Sequence, residues 1–344
     1  MKKVRARAPL RLGIAGGGTD LSPYCDDFGG CVLNYTIGVY AYAVIEERAD
    51  WLVVFSADDI EKKDEVAPQP FLPPHEGLSL HRAVYNRIVR DFNAGRPLSI
   101  SVYTAVDAPP GSGLGSSSAL IVALVKAFSE FLRLPLGDYD IARLAYEIER
   151  VDLAMAGGRQ DQYAAAFGGC NFIEFLPNDR VVVNPLRIHE EYRLELETSL
   201  VVCHTGRSRV SSEIIENQIA GMQQASSKSV EAMHQIKRDA QDMKVCLLSG
   251  NIQGMAEVLE RSWNAKKLTA ASITNSRIDE IYDQARAAGA TAGKISGAGG
   301  GGYMMLLTRP ERRQTLVRRL KELDLPVLTC HFTEKGAESW HSAM

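Results

Sequence analysis

The chain has 344 residues, of which 45% are hydrophobic, so it can bury the core of two domains or of one large domain. Its formal net charge of −3 and its pI near 6.2 lack the basic excess with which a dedicated nucleic-acid binder neutralises phosphates. No apolar run reaches the roughly 20 residues that span a bilayer, and the N-terminal residues lack the apolar centre of a signal peptide. We therefore expect a cytoplasmic protein with a small-molecule partner, with no nucleic acid or membrane bound, and leave a homodimer open.

The first half of the chain alternates between strand and helix patterns. Residues 3–8 alternate basic and small apolar side chains, a period of two that predicts a strand with one buried face. A turn of glycines follows. Further strands are predicted over 31–46, 52–56, 98–106, 170–175 and 181–183, and helices over 78–93, 117–132 and 139–155.

The second half reads mainly as helix. After a strand at 200–204, residues 211–288 have helical patterns, interrupted near 249–251 and 274–275. A strand, a helix and a strand are predicted over 303–307, 312–323 and 327–332. The mixture predicts an α+β fold, and we place a domain boundary near residue 190, which gives domains 1–190 and 191–344.

The strongest chemical signal is a loop of glycine and serine that runs directly into an apolar helix. Glycines let the backbone approach an anion closely, and the free N–H groups and positive dipole of the helix start favour phosphate. A flexible linker would not join such a helix without a break, and no Walker-type G-x-x-x-x-G-K-[ST] motif occurs. The residues expected to hold the phosphates are Pro110, Gly111, Ser112, Gly113, Leu114, Gly115, Ser116, Ser117 and Ser118.

A second glycine cluster covers residues 294–302. It contains a formal G-x-G-x-x-G match at Gly297, Gly299 and Gly302, but a dinucleotide fingerprint opens a helix, whereas this cluster leads into a predicted strand. A tight structural turn is one alternative. We favour a backbone that packs against the first loop and the substrate, which places Gly297, Ala298 and Gly299 beside the substrate.

A third cluster lies near the N-terminus, where Arg11 is followed by the run Gly17, Gly18, Thr19 and Asp20. A carboxylate just after glycines can reach the hydroxyl groups of a ligand without obstruction, and carboxylates are strong acceptors for such donors. Alternatively, Asp20 caps the next turn.

The fourth cluster contains two carboxylates, Glu149 and Asp161, the second within the sequence GGRQDQY. Transfer of a phosphoryl group needs a metal that bridges the nucleotide phosphates and a group that orients the attacking hydroxyl. The two carboxylates can supply both functions, although acidic residues on a helix are usually only solvated.

Taken in order, the four clusters resemble the GHMP kinase superfamily, which includes galactokinase, homoserine kinase and mevalonate kinase. The specific motif P-x-G-x-G-L-G-S-S is matched up to Ser117, and the glycine-rich third motif is matched by residues 294–302. The resemblance implies ATP and Mg²⁺ as cofactors, Ser117 and Glu149 as magnesium ligands, and Asp161 as the catalytic aspartate. It also implies a ribosomal-protein-like N-terminal domain and a ferredoxin-like C-terminal domain, with the active site between them.

The first motif narrows the choice within the superfamily. Ala8-Pro9-x-Arg11 and Thr19-Asp20 resemble elements of galactokinase in which the aspartate holds sugar hydroxyls and the arginine lies beside the catalytic aspartate. The pattern A-G-G-G-T-D-x-x-P-Y is similar to that of kinases acting on heptose phosphates and, more distantly, of fucokinase. The resemblance implies phosphorylation of the anomeric oxygen of a heptose 7-phosphate for surface-polysaccharide synthesis.

A sugar phosphate carries an extra dianion, which calls for basic groups at the far end of the sugar site. Arg207, Arg209 and Lys266 are the candidates, and solvated surface charges are the alternative for each. A kinase for an unphosphorylated sugar such as fucose or galactose is a second interpretation. A sugar- and ATP-sensing regulator without catalysis is a third, against which the presence of Asp161, Ser117 and Glu149 argues.

Overall fold

The computed structural model describes residues 2–206, 211–223 and 227–342. Arg207 and Arg209 lie outside the described residues, so their contact with a phosphate stays a prediction. The strands are β1 (Lys3–Ala15), β2 (Gly30–Glu47), β3 (Val53–Ala57), β4 (Lys62–Val66), β5 (Ile100–Val106), β6 (Cys170–Leu176), β7 (Arg180–Pro185), β8 (Leu200–His204), β9 (Ala290–Ile295), β10 (Tyr303–Thr308), β11 (Val327–Leu328) and β12 (Glu338–His341).

The helices are α1 (Tyr24–Phe28), α2 (Ser79–Phe92), α3 (Ser116–Leu132), α4 (Asp138–Tyr146), α5 (Gln160–Phe167), α6 (Glu190–Ser199), α7 (Ser211–Gln223), α8 (Ser227–Leu248), α9 (Ile252–Lys267), α10 (Ser276–Ala287) and α11 (Arg313–Glu322). The predicted interruptions at 249–251 and 274–275 are confirmed. At each of them an asparagine, Asn251 or Asn275, accepts hydrogen bonds from the first turn of the following helix, which caps it.

The larger sheet is built around the long strand β2, which pairs with β1 along its length and with β6 and β5 on its other edge. Its strand order is β12-β1-β2-β5-β3-β4, with β6 on β2 and β7 on β6. Helix α3 packs against β1 and β2, and because it is apolar on most of its faces, nearly all of it is buried. This packing holds the start of α3 beside β1.

The smaller sheet has the order β11-β8-β10-β9, with every pair antiparallel. Helix α9 packs against β9, and α8 lies along α9. The turn between β9 and β10 contains the second glycine cluster. The smaller sheet places that turn next to the start of α3. The predicted α+β fold is confirmed.

Several predicted bounds were wrong. Strand β1 continues to Ala15 because β2 pairs with it throughout. A single helix was predicted over 139–155. Its α-helical part ends at Tyr146, and a π-helical turn, Glu147–Asp152, follows directly. Local sequence patterns did not predict the short elements α1, α5, α6, β4, β9 and β12.

Strand β12 pairs antiparallel with β1, from Val4 opposite His341 to Arg7 opposite Glu338. The division at residue 190 stays a prediction, but residues 338–341 belong to the sheet formed by the first half of the chain. Among the described helices, none combines the length and the apolar character needed to cross a bilayer.

Candidate active site

Most of the predicted site residues that the structure describes line two adjoining clefts. The large cleft, of about 470 Å³, is bordered by the first glycine loop and the start of α3, and the small cleft, of about 60 Å³, contains Asp20. In the described ranges of the chain, six residues lie on the walls of both: Arg11, Arg150, Asp161, Ile215, Gly297 and Ala298. A group bound in one cleft therefore faces a group bound in the other across Asp161.

The first glycine loop ends at the start of α3 in a form suited to anions. Gly111, Gly113 and Gly115 all have positive φ, and Gly115 precedes the helix without a side chain that could cap it. The first-turn residues Ser116, Ser117 and Ser118 line the large cleft, so their N–H groups are placed for an anion there. Ser112 and Leu114 were also predicted to hold the phosphates. Both are fully buried, and their side chains support the loop from behind.

The two glycine clusters pack directly on one another. Ser296 donates from Oγ to the carbonyl of Gly113, and Tyr303 donates its N–H to the carbonyl of Ser112. A Cβ atom on Gly113 would lie 2.5 Å from the Ser296 carbonyl oxygen, and one on Gly297 would lie 2.8 Å from that of Gly113, so only glycine permits this approach. The contact fixes Gly297 and Ala298 on the walls of both clefts.

Arg11 and Asp161 form a tight pair at the junction of the clefts. Arg11, on β1, donates from Nε to Asp161 Oδ1 at 2.6 Å and from Nη1 to the carbonyl of Gly113 at 2.7 Å, and its Nη2 lies 2.5 Å from the same Asp161 oxygen as an ion pair. Asp161 lies in the first turn of α5. The arginine therefore links β1, the glycine loop and the helix that carries the carboxylate.

The carboxylate of Glu149 is buried at the other side of the large cleft. Ser117 donates from Oγ to Oε1 at 2.7 Å, while Ser118 and Gln162 each donate to Oε2 at 2.7 Å. Ser118 and Gln162 thus hold one oxygen, and the other lies beside the hydroxyl of Ser117 at the cleft. A hydroxyl and a carboxylate oxygen are ligands that Mg²⁺ accepts, since it binds through one or two carboxylates, phosphates and water. The donor set fits that ion.

Asp20 is buried at the small cleft and is fully engaged with the backbone. It accepts hydrogen bonds from the N–H groups of Gly18, Arg159 and Gln160 at 3.0–3.2 Å, and from Gln160 Nε2 at 3.1 Å. Arg159 and Gln160 begin α5, so Asp20 caps the helix that carries Asp161 from a distant part of the sequence. The sequence left open that Asp20 caps the turn that follows it. Asp20 does act as a cap, but of helix α5 and not of that turn.

Two buried lysines approach the small cleft from the second half of the chain. Lys266 donates from Nζ to the carbonyls of Gly17 and Gly297, at 3.2 and 2.9 Å, and Lys294 donates to the carbonyl of Gly13. Burial lowers the pKa of Lys266 to about 8, an effect that Asp20 partly opposes and Arg11 reinforces. Burial and the charges of Lys266 and Arg11 also lower the pKa of Lys294, well below its usual value. Of the two lysines, Lys266 lines the small cleft, and together with Arg11 and Arg150 it gives that cleft a basic wall.

Some predicted substrate residues have supporting positions. Thr19 donates from Oγ1 to the carbonyls of Gly16 and Cys31 and is fully buried. Gly17 contributes its carbonyl to Lys266, and Gly299 packs against Ile273. In the described part of the chain, Gly18, Asp20 and Lys266 line the small cleft, whereas Gly17, Thr19 and Gly299 do not.

Arg150, Gln162 and Lys294 stand in the sequence clusters, but no role was predicted for them. Gln162 stands in the same short motif as Asp161, and Arg150 follows Glu149 directly, so adjacency was the available signal. Their contacts depend on residues far away in sequence, which no local pattern displays.

A third cleft, of about 300 Å³, opens at the beginning of the glycine loop. Pro110, Gly111, Ser116 and Ser117 belong to its walls and to those of the large cleft. The remaining walls come from β3, the start of α2 and the end of β5, and they include Leu78, Leu80 and Val106. The third cleft can therefore take an apolar, planar group attached to a phosphate chain in the large cleft.

Comparison with protein families gives two matches. Residues 79–169 match the N-terminal domain of GHMP kinases, and residues 243–323 match the C-terminal domain of GHMP kinases. The first match covers the glycine loop, Glu149 and Asp161, and the second covers Lys266 and the second glycine cluster.

Known proteins similar to this chain extend over almost its whole length. A D-glycero-alpha-D-manno-heptose 7-phosphate kinase of Campylobacter jejuni is 44% identical over 99% of both chains. The crystal structure of a D-glycero-D-manno-heptose 1-phosphate kinase from Bacteroides thetaiotaomicron is also 44% identical and covers 98% of both chains, with a TM-score of 0.84. The mevalonate kinase of Methanococcus jannaschii, 18% identical with a TM-score of 0.76 over 96% of this chain and 98% of its own, shares the fold.

Proposed function

This chain belongs to the GHMP kinase family, whose members use ATP, and we propose that it phosphorylates the anomeric hydroxyl of D-glycero-D-manno-heptose 7-phosphate. The products would be ADP and the heptose 1,7-bisphosphate, an intermediate suited to nucleotide-activated heptose synthesis. The observation that carries the proposal is the position of Asp161, on the shared wall of a phosphate-binding cleft and a second, cationic cleft. This is the arrangement that transfer between two bound substrates requires.

ATP would occupy the large and third clefts. The first-turn N–H groups of α3 would bind its phosphates, and the third cleft would receive the nucleoside between Leu78, Leu80 and Val106. This orientation points the terminal phosphate away from the third cleft, toward Arg11 and Asp161.

Magnesium would bind to Ser117 and Glu149. When bound, it would neutralise charge on the phosphates and hold them in place. Ser118 and Gln162 keep Glu149 oriented for that purpose, through hydrogen bonds to its Oε2 of 2.7 Å each.

Asp161 would orient the acceptor hydroxyl and accept its proton. Its Oδ1 is taken by Arg11, which leaves Oδ2 for the acceptor. The acceptor itself would lie in the small cleft against Asp20 and Lys266, where the amino group of Lys266 has a third donor beyond its two carbonyl contacts.

The choice of a heptose 7-phosphate is supported by the Campylobacter jejuni relative, whose name specifies that acceptor. The Bacteroides thetaiotaomicron structure is named for the 1-phosphate. We favour the 7-phosphate because the anomeric oxygen is then free to react.

We also propose that the enzyme is cytoplasmic. Its net charge of −3 supports the proposal that it binds no nucleic acid. A measurement of its mass in solution would test whether it forms a homodimer.

The experiment is an acceptor panel with ATP and Mg²⁺. Heptose 7-phosphate, heptose 1-phosphate, unphosphorylated heptose, mannose, fucose and galactose are compared by kcat/KM, and NMR locates the new phosphate. The proposal expects the highest kcat/KM for heptose 7-phosphate, with phosphate on the anomeric oxygen. A preference for an unphosphorylated sugar or for the 1-phosphate contradicts the substrate, and binding of ATP and sugar without turnover would indicate a sensor.

A further inference from the structure

The junction of the two clefts contains two cations, Arg11 and Arg150. Among the described residues, six are shared by both cleft walls, and of these six only Arg11, Arg150 and Asp161 have ionisable side chains. A phosphoryl group that moves from one cleft to the other must pass the residues that the clefts share. Arg150 adjoins Glu149 in the fourth sequence cluster, but the sequence alone assigned it no role.

The contacts of the two arginines differ. Arg11 is held by short bonds of 2.5–2.7 Å to Asp161 and the carbonyl of Gly113. Arg150 has longer contacts, of 3.2–3.4 Å to the carbonyls of Met155, Ala156 and Gly158, and its Nη2 lies 3.5 Å from Glu149 Oε2. A guanidinium with weak contacts can turn toward a new anion at little cost, since the bonds that it gives up are poor.

The fold confines Arg150 to this position. It lies in the π-helical turn Glu147–Asp152, a distortion that occurs frequently at functional sites. The following loop folds over its guanidinium, and a Cβ atom on Gly157 would lie 2.2 Å from Arg150 Cζ. The loop therefore needs glycine at 157 to let the arginine lie against it.

We infer that Arg150 is a further catalytic residue, which binds the non-bridging oxygens of the phosphoryl group during its transfer. The inference rests on the proposed kinase reaction. In that step the bond between the γ-phosphorus and the β,γ-bridging oxygen breaks and leaves ADP, a bond to the acceptor oxygen forms, and the hydroxyl proton passes to Asp161. Arg150 donates hydrogen bonds throughout and neither gains nor loses a proton.

The test compares R150M and R150K with R143M. Arg143 lies on α4, has an exposed side chain paired with Glu147, and lies outside both clefts as the described residues define them. Loss of one donor to a transition state lowers kcat by about 10²–10³-fold, so R150M should fall in that range, R150K should recover part of the loss, and R143M should match the wild type. G157A keeps the charge but displaces the guanidinium, and its kcat should also fall.

Measurements of ligand affinity distinguish a catalytic role of Arg150 from a role in supporting the loop. The affinity of R150M for a non-hydrolysable ATP analogue should match the wild type, whereas its affinity for ADP with aluminium fluoride and the sugar should fall with kcat. Wild-type kcat in R150M overturns the inference. An equal loss of both affinities also overturns it, because Arg150 would then only hold the loop.

Failure of the proposed function can be distinguished from failure of this inference. The proposed function fails if the wild type phosphorylates none of the acceptors. The same variants are then compared in slow ATP hydrolysis, where water replaces the sugar. A lower rate in R150M than in R143M supports the inference in that case, and equal rates overturn it.

Discussion

Arg11 binds a single oxygen of Asp161, Oδ1: its Nε donates a hydrogen bond at 2.6 Å, and its Nη2 forms an ion-pair contact with the same oxygen at 2.5 Å. Such charge-assisted bonds fix the plane of the carboxylate. The second oxygen, Oδ2, is then the one available to an acceptor hydroxyl. The pair therefore sets where the acceptor must lie for transfer.

Asp161→Asn should lower kcat by about 10²–10⁴-fold, because the amide cannot accept the proton of the hydroxyl and loses the charge that pairs with Arg11. The affinity for ATP should hardly change, since the glycine loop and Glu149 are intact. Steady-state kinetics and calorimetric titration with an ATP analogue measure the two effects. A kcat near that of the wild type would place the base elsewhere.

Glu149→Gln should raise the magnesium requirement by at least about tenfold, because the amide is a poorer ligand and turns an N–H group toward Gln162. Titration of MgADP binding against magnesium measures this without turnover. Glu147→Gln is the matched control, since Glu147 lies in the same π-helical turn but pairs with Arg87 and Arg143. The same magnesium dependence in E149Q and wild type would rule out Glu149 as a ligand.

Lys266 should give the KM for a sugar phosphate a pH dependence. Its pKa is lowered to about 8, so the free protein loses this charge as the pH rises through 8, whereas the ligand phosphate stays a dianion above about pH 7. We expect KM to rise above pH 8 by up to about tenfold per pH unit.

Lys266→Met should raise KM at pH 7 and abolish this rise, with a smaller effect on an unphosphorylated sugar, while Lys267→Met should behave as wild type. Profiles of KM from pH 6.5 to 9.5 measure both. If K266M keeps the profile of the wild type, a different group titrates.

Asp20→Ala should lower turnover of every sugar and also the free energy of unfolding. It leaves the buried N–H groups of Arg159 and Gln160 without an acceptor, and each such loss costs about 1–3 kcal/mol. Urea unfolding measures the stability. Asp26→Ala is the control, because Asp26 is half exposed and bonds to the side chain of Arg159, not to the backbone N–H groups that begin α5. A D20A variant with wild-type stability would contradict the helix cap seen here.

Local sequence patterns predicted the parts of the site in which neighbouring residues act together. The glycine loop and α3 are one continuous segment, so glycine, serine and an apolar period were enough to place a phosphate site there. Asp161 could be singled out because its motif resembles a known family. The helix α5 that carries it was missed, since it is short and its cap, Asp20, comes from the third cluster.

The remaining contacts depend on pairing that no local pattern contains. Lys266 reads as one of two adjacent charges at the end of a helix, and only the fold shows that it is buried against the carbonyls of Gly17 and Gly297. Arg150 reads as a helix surface charge until the π-helical turn directs it between the clefts. Residues 207–210, where two basic groups were expected, lie outside the described structure.

The pairing of β12 with β1 has a consequence for protein synthesis. Arg7 and its partner Glu338 are 331 residues apart, which at about 5–20 residues per second means a delay of roughly 17–66 s on the ribosome. For that time β1, the strand that carries Arg11, has an unpaired edge, and such edges recruit other chains. A nascent chain would thus depend on chaperone protection of this edge until residues 338–341 emerge, and products terminated before them should aggregate.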